Sequence, residues 1–175
     1  KPEELRTSGT RFEDWQRGGY DPDARIADQD RDGIAGEIIY PTVGMALCNH
    51  RDLDYKKACM DAYNRWMADY CSAHPDRLFG IGQTAVRTPA EAVEDLRSIK
   101  ALGLRGVMLP GKPGQEDYDH PIYDPLWEAA IDLQLPLSFH VLTTRDEHRA
   151  PRGSRLNGFL GIIRANQDVI GAMIF

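Results

Sequence analysis

The residue whose type and place invite chemistry is His140. It stands near the end of the stretch LQLPLSFHV, residues 133–141, where Leu135, Leu137 and Phe139 are apolar. The run is too short for a helix and predicts a buried strand over residues 136–141. An imidazole at the C-terminal end of such a strand has two readings. It is a core histidine with a satisfied hydrogen bond, or it opens a metal or catalytic site, because parallel α/β folds bind ligands beyond the carboxyl ends of their strands. A neutral imidazole can ligate Zn2+, yet catalytic zinc usually takes three protein ligands, and the sequence holds no H-x-H and no H-E-x-x-H. Ser138 shares a face with His140 in a period-two element, but two positions along one strand is not the geometry of a nucleophile elbow. The polar loop that follows, residues 142–155, carries Arg145, Asp146, His148, Arg149 and Arg152. At a strand's carboxyl edge such a loop could hold a carboxylate through arginine; as a solvated loop it needs no function.

Other chemical patterns are weaker. The segment DQDRDG, residues 28–33, imitates the start of a calcium loop, but position twelve of that loop would be Ile39 where a bidentate Glu is required. It reads instead as an acidic turn feeding a strand. Gly80-Ile81-Gly82 and Gly111-Lys112-Pro113-Gly114 complete neither nucleotide-binding spacing. His50 reads as loop, close to a site if there is one. His74, before Pro75, reads as a contact capping a helix end, and His120, before Pro121, as a structural turn residue.

The elements that must position these residues alternate along the chain. Residues 1–33 form a loop-rich leading segment with room for one short helix. A strand is expected over 35–41, stopped by Pro41. A helix over 54–73 follows, with Tyr55, Cys59, Ala62, Tyr63, Trp66, Met67 and Tyr70 as its apolar face. The next strand covers 78–86. Thr88, Pro89 and Glu91 then announce a helix through a cap, a first-turn proline and a capping box. Ala92, Val93, Leu96 and Ile99 are its buried face and Gly103 its stop. A strand over 105–111 precedes a helix that starts at Asp124-Pro125 and buries Leu126, Trp127, Ala130, Ile131 and Leu133. The strand ending in His140 and a helix over 156–175 close the order. Strands that read as continuous apolar runs imply a parallel sheet covered on both faces. The four βα units suit a small open sheet or about half of a (β/α)8 barrel, in one domain over residues 1–175.

Bulk properties narrow the partners. The net charge of −6, from 21 basic and 27 acidic residues, disfavours a nucleic-acid backbone. No apolar run reaches the roughly 18 residues of a membrane span, and the polar leading residues carry no secretory pattern. Cys48, Cys59 and Cys71 are odd in number and lack C-x-x-C spacing, so a cytoplasmic setting is expected. Lys1 is not an initiator Met, and the chain stops inside the apolar run QDVIGAMIF, which together suggest an internal fragment.

Four stretches carry a family likeness: GGYDPDARIADQDRDGIAGEIIYPT, AYNRWMADYCSAHPDRLFGIG, LGLRGVMLPG and YDPLWEAAIDLQLPLSFHV. They resemble the amidohydrolase-related branch of the amidohydrolase superfamily, the aminocarboxymuconate-semialdehyde decarboxylase-like proteins. The resemblance implies a (β/α)8 TIM barrel, of which this chain would be roughly strands two to five. It implies a divalent metal, zinc first, at the strand carboxyl ends, and a hydrolase or non-oxidative decarboxylase (a lyase) acting on a small carboxylated substrate. His140 matches the family's fifth-strand metal ligand, with the remaining ligands outside the chain. Arg145, by its place after that strand, is the candidate grip on a substrate carboxylate. An open half-barrel should self-associate through its edges, so a homo-oligomer is expected. The rival reading is a non-enzymatic α/β module that binds a small ligand or a partner.

Overall fold

The structure, a computed structural model, describes residue 11, residues 14–140 and residue 143. Its elements run α1 (Pro22–Asp32), β1 (Glu37–Ile39), α2 (Val43–Leu47), α3 (Leu53–Ser72), β2 (Leu78–Gln83), α4 (Pro89–Ala101), β3 (Gly106–Leu109), α5 (Asp124–Asp132) and β4 (Leu137–Phe139). The four strands are parallel in the order β1-β2-β3-β4. Each strand is shorter than the apolar run that announced it. The helix expected over 156–175 lies outside the described residues.

The sheet curls. Tyr40 follows β1 and His140 follows β4, at opposite ends of the strand order. In a flat sheet, three strand spacings would hold them roughly 14 Å apart; their ring centroids are 6.3 Å apart. Register fixes which side chains share the concave face. Ile38 pairs with Phe79, Ile81 with Gly106, and Met108 with Ser138, so Ile38, Tyr40, Phe79, Ile81, Gln83, Met108, Ser138 and His140 point inward together. The convex residues Leu78, Val107 and Leu109 are buried beneath α3, α4 and α5 with Met67, Leu96, Ile99 and Leu126. The expectation that both faces are covered holds along the convex face and in part on the concave one, where Ile81, Gln83 and Met108 are buried. Along the concave side Ile38 is 64% exposed and Tyr40 40%, and they border an open cavity of about 550 Å3 with Phe79, Ile81, Arg105 and Ser138.

The leading segment is more ordered than its composition suggested. Asp21 caps α1, accepting from the N–H groups of Asp23 and Ala24, with Pro22 in the first turn. The acidic stretch read as a turn is the C-terminal half of this helix, closed by Gly33 at φ 71. Its carboxylates are engaged by arginine: Asp28 and Asp32 by Arg31, Asp30 by Arg77. Arg25 ties α1 to the start of β1 through both carboxylate oxygens of Glu37, at 2.6 and 3.0 Å.

The buried face of α3 overlaps the expected stripe only in part. Met67 and Tyr70 of that stripe are buried, with Met60, Cys71, Lys56 and Asn64, whereas Tyr55 is 53% and Trp66 44% exposed and Ala62 is exposed. The inward polar residues are the reason. The Asn64 amide donates to the Gln83 carbonyl and accepts the Gln83 N–H, both at 2.8 Å, completing the end of β2 as a neighbouring strand would. A period count that assigns amides to solvent rotates the helix the wrong way. On α5, Ile131 is likewise exposed. Thr88 caps α4 through the Glu91 N–H, but the Glu91 carboxylate turns to Arg87, leaving the capping box half made. Gly103 follows the last residues of α4 at φ 79, the conformation that ends a helix at least cost.

Candidate active site

The carboxyl ends of the strands form a rim, and the concave face opens beneath it. His140 is half-buried, its ring tilted 53° to that of Tyr40. Thr143 donates its hydroxyl to the His140 carbonyl at 2.6 Å, and its own carbonyl accepts the Gly111 N–H at 3.2 Å. Through Thr143 the histidine's carbonyl is linked to the residue after Pro110 at the rim of β3. Ser138, one pleat below, donates to the Val107 carbonyl at 3.3 Å, so its hydroxyl serves the neighbouring strand.

Helix α2 partly roofs the concave face. Met45 and Leu47 pack with Ile81, Ala85, Met108, Met60 and Cys48. Gly44 makes this approach possible, since a Cβ there would meet Gln83 Oε1 at 1.9 Å, and Gln83 Nε2 donates to the Gly44 carbonyl at 3.1 Å. Behind the rim of β2, the Thr84 hydroxyl donates to Asp95 at 2.7 Å and accepts the Val86 N–H at 3.2 Å. Lys57 lies 2.9 Å from Asp95 and 2.6 Å from Asp61. Burial pushes the Asp95 carboxyl up, against the pull of Lys57 and Thr84. This knot steadies Val86, a buried β-branched residue at φ 46, a conformation costly for its type.

The other histidines divide as their contexts suggested, with one exception. His50 is exposed in the loop between α2 and α3; its Nδ1 accepts the Asp52 N–H at 3.2 Å, and its ring lies 4.7 Å from that of Tyr55. His120 accepts the Ile122 N–H and caps a short turn. His74 caps nothing with its ring; Nε2 meets Asp23 at 2.7 Å and joins the end of α3 to α1. Arg145, His148, Arg149 and Arg152 lie outside the described residues. Sequence reading missed Tyr40 and Lys56. Tyr40 had a usable signal, as the residue at the end of β1 on the same pleat parity as His140. Lys56 had none, because a lysine on a helix reads as solvent-facing.

Among the described residues no three His, Cys, Asp or Glu side chains converge as a metal site. His140 is a single imidazole donor of the kind zinc and other borderline cations accept. It fits as one ligand of a larger set and does not make a site by itself.

A parallel sheet curled so that its first and last strands face each other, with helices on the convex side and a histidine at the carboxyl rim, defines the (β/α)8-barrel class. The chain belongs to the amidohydrolase family, whose model matches residues 5–163. It is similar in structure to a 5-carboxyvanillate decarboxylase from Novosphingobium aromaticivorans DSM 12444, solved with bound manganese and 3-methoxy-4-hydroxy-5-nitrobenzoic acid: TM-score 0.65, 26% identity, 83% of this chain and 44% of that one. An amidohydrolase from Mycobacterium avium subsp. paratuberculosis K-10 matches with TM-score 0.75 at 23% identity, over 99% of this chain and 50% of that one. A dihydroxybenzoic acid decarboxylase from Polaromonas sp. JS666, solved with manganese and 2-nitroresorcinol, matches with TM-score 0.64 at 22% identity, over 86% and 47%. The chain thus spans about half the length of these structures or less.

Proposed function

We propose that this chain supplies one side of the active site of a metal-dependent, amidohydrolase-type enzyme that hydrolyses or decarboxylates a small carboxylated substrate. The observation that carries the reading is His140 at the carboxyl rim of β4, on the concave face and across the curl from Tyr40. A structural histidine needs no such position; a ligand at a barrel's catalytic end does. The two decarboxylases it resembles act on carboxylated aromatic rings and were solved with manganese, which supports a divalent cation, zinc or manganese, and favours decarboxylation over hydrolysis.

In this reading His140 holds one coordination position, and the Thr143 bond to its carbonyl limits how far the residue can shift. Tyr40 walls the opposite side of the opening. Arg145 is proposed to grip a substrate carboxylate. A bound divalent ion would polarise a substrate oxygen or activate a water. No helix among the described residues is long and apolar enough to cross a membrane, which is compatible with a cytoplasmic enzyme.

The test is metal content and CO2 release by the whole protein that carries this segment. Wild type should bind about one divalent ion per chain, and His140→Ala should weaken binding by more than the roughly 10- to 100-fold typical of losing an outer-shell partner. Equal metal affinity in the variant would refute the ligand assignment. A wild-type protein that binds no metal and turns over no carboxylated phenol, while still binding a small ligand, would favour the non-enzymatic rival.

A further inference from the structure

Two costly arrangements sit side by side behind the rim of β2. Val86, β-branched and wholly buried, holds φ 46, a conformation that persists only where its surroundings impose it. Asp95 of α4 is 7% exposed, and a buried ion pair adds little stability on balance. Strain and buried charge together, at the carboxyl end of a barrel strand, are the pattern of a functional rim more than of a core. Hydrogen bonds join the two. Asp95 accepts the Thr84 hydroxyl at 2.7 Å, and the Thr84 oxygen accepts the Val86 N–H at 3.2 Å. Lys57 Nζ lies 2.9 Å from Asp95. An ionised carboxylate only accepts, so the Thr84 hydrogen is committed to Asp95 and its lone pairs are left for Val86.

The series continues outward from Val86. Its carbonyl accepts the Gly114 N–H at 2.8 Å. A Cβ at Gly114 would meet the Arg87 carbonyl at 2.6 Å and the Val86 carbonyl at 2.9 Å, so the turn after β3 lies directly on the backbone of Val86 and Arg87. At the start of that turn the Gly111 N–H donates to the Thr143 carbonyl at 3.2 Å, and the Thr143 hydroxyl donates to the His140 carbonyl at 2.6 Å. Thr84, itself 1% exposed, thus stands at one end of a run of directional bonds whose other end is the main chain of the candidate ligand. Hydrogen bonds weaken steeply when misaligned, so a change at Thr84 alters geometry along the run and not packing alone.

We propose that Thr84 and Asp95 are positioning residues for the candidate site. They hold Val86 in its left-handed conformation, Val86 seats the turn over residues 110–114, and that turn, through Thr143, sets the main chain of His140. The assignment rests on the reading of His140 as a metal ligand, and it deepens that reading by naming residues that act on the ligand without touching an ion or a substrate.

The experiment is amide hydrogen exchange on the whole protein that carries this segment, alongside titration of the chelated protein with Mn2+. Exchange is read by mass spectrometry over residues 110–115, with β3 as internal reference. Thr84→Val keeps the shape of the side chain and removes the oxygen. Exchange over 110–115 should rise about tenfold relative to β3, the scale of one buried N–H left without its acceptor. Mn2+ should bind about tenfold more weakly, the low end of what losing an outer-shell partner costs. Thr84→Ser, which keeps the oxygen, should restore both. Asp95→Asn keeps an acceptor for Thr84 and loses the charge, so both changes should appear at about threefold; it carries the test if Thr84→Val does not fold. Equal acceleration in 110–115 and in β3 overturns the positioning role, because a merely structural residue lowers protection everywhere. Exchange unchanged in every folded variant overturns it too. A loosened turn with unchanged Mn2+ affinity overturns the link to His140. A wild-type protein that binds no Mn2+, in which Thr84→Val still loosens the turn, would sink the metal reading alone.

Discussion

The two faces of one sheet have different fates in this chain. On the convex face, Val107 and Leu109 are closed off by Leu96, Ile99 and Leu126, side chains of helices that follow or precede those strands directly in sequence. On the concave face, among the described residues, the inward Ile81 and Met108 pack with Met60 of α3, Cys48, Ala85 and the short helix α2, and Ile38 remains largely in solvent. The convex core is assembled by neighbouring βα units, each bringing its own cover. The concave face of a barrel is filled by layers of side chains from alternate strands, so its packing depends on partners distant in sequence. The candidate site lies where the second kind of packing ends: His140 and Tyr40 both stand at the concave rim.

Paired truncations break the comparison most directly. Leu96→Ala on the convex side should cost roughly 2–5 kcal/mol, as buried leucine truncations do; Ile38→Ala on the concave side should cost less than about 1 kcal/mol, because most of that side chain is already hydrated. Urea denaturation of the two variants measures both, and equal losses would mean that the concave face is as well packed as the convex one.

Asn64→Leu tests whether the convex helix is held by oil alone. It strips a partner from both backbone groups of Gln83, and the expected loss is roughly 2–6 kcal/mol, from about 1–3 for each buried group left unsatisfied. A neutral or stabilising outcome would show that the amide bridge is dispensable.

The smallest effect is at the bottom of β1. The Arg25 guanidinium holds the Glu37 carboxyl below its ordinary value of 4.5, aided by Gln29 and opposed by partial burial. A carboxyl with a depressed folded-state pKa stabilises above its unfolded value and loses that contribution as pH falls through the folded one. Glu37→Gln should therefore lower stability by less than about 1 kcal/mol at neutral pH, with the difference from wild type shrinking below pH 4.5. Thermal melts across pH 3–7 would read it, and a gap that widens on acidification would contradict the assignment.

Much of this was legible locally. Apart from the short helix α2, which the sequence reading did not anticipate, the order of strands and helices, the Thr88 cap and the Gly103 stop are written in nearby residues, because capping, turn conformation and apolar period act over a few positions. The family likeness in the sequence and the family match over residues 5–163 agree. What local pattern misjudged was orientation. Of the stripe expected to face the core on α3, Met67 and Tyr70 are buried, but Tyr55 and Trp66 are exposed and the polar Asn64 and Lys56 turn inward with Met60 and Cys71.

The sequence by itself determined that a parallel βα chain ends its fourth strand in an imidazole. Only the tertiary structure decided that this imidazole faces Tyr40 across the curl, and that Lys56, from helix α3, and Lys112, from the turn after β3, line one cavity. The physical reason is range. Propensity and period are set by neighbours along the chain, whereas the curl follows from the register and twist of strands up to about a hundred residues apart, and side chains meet across it only once that register is made.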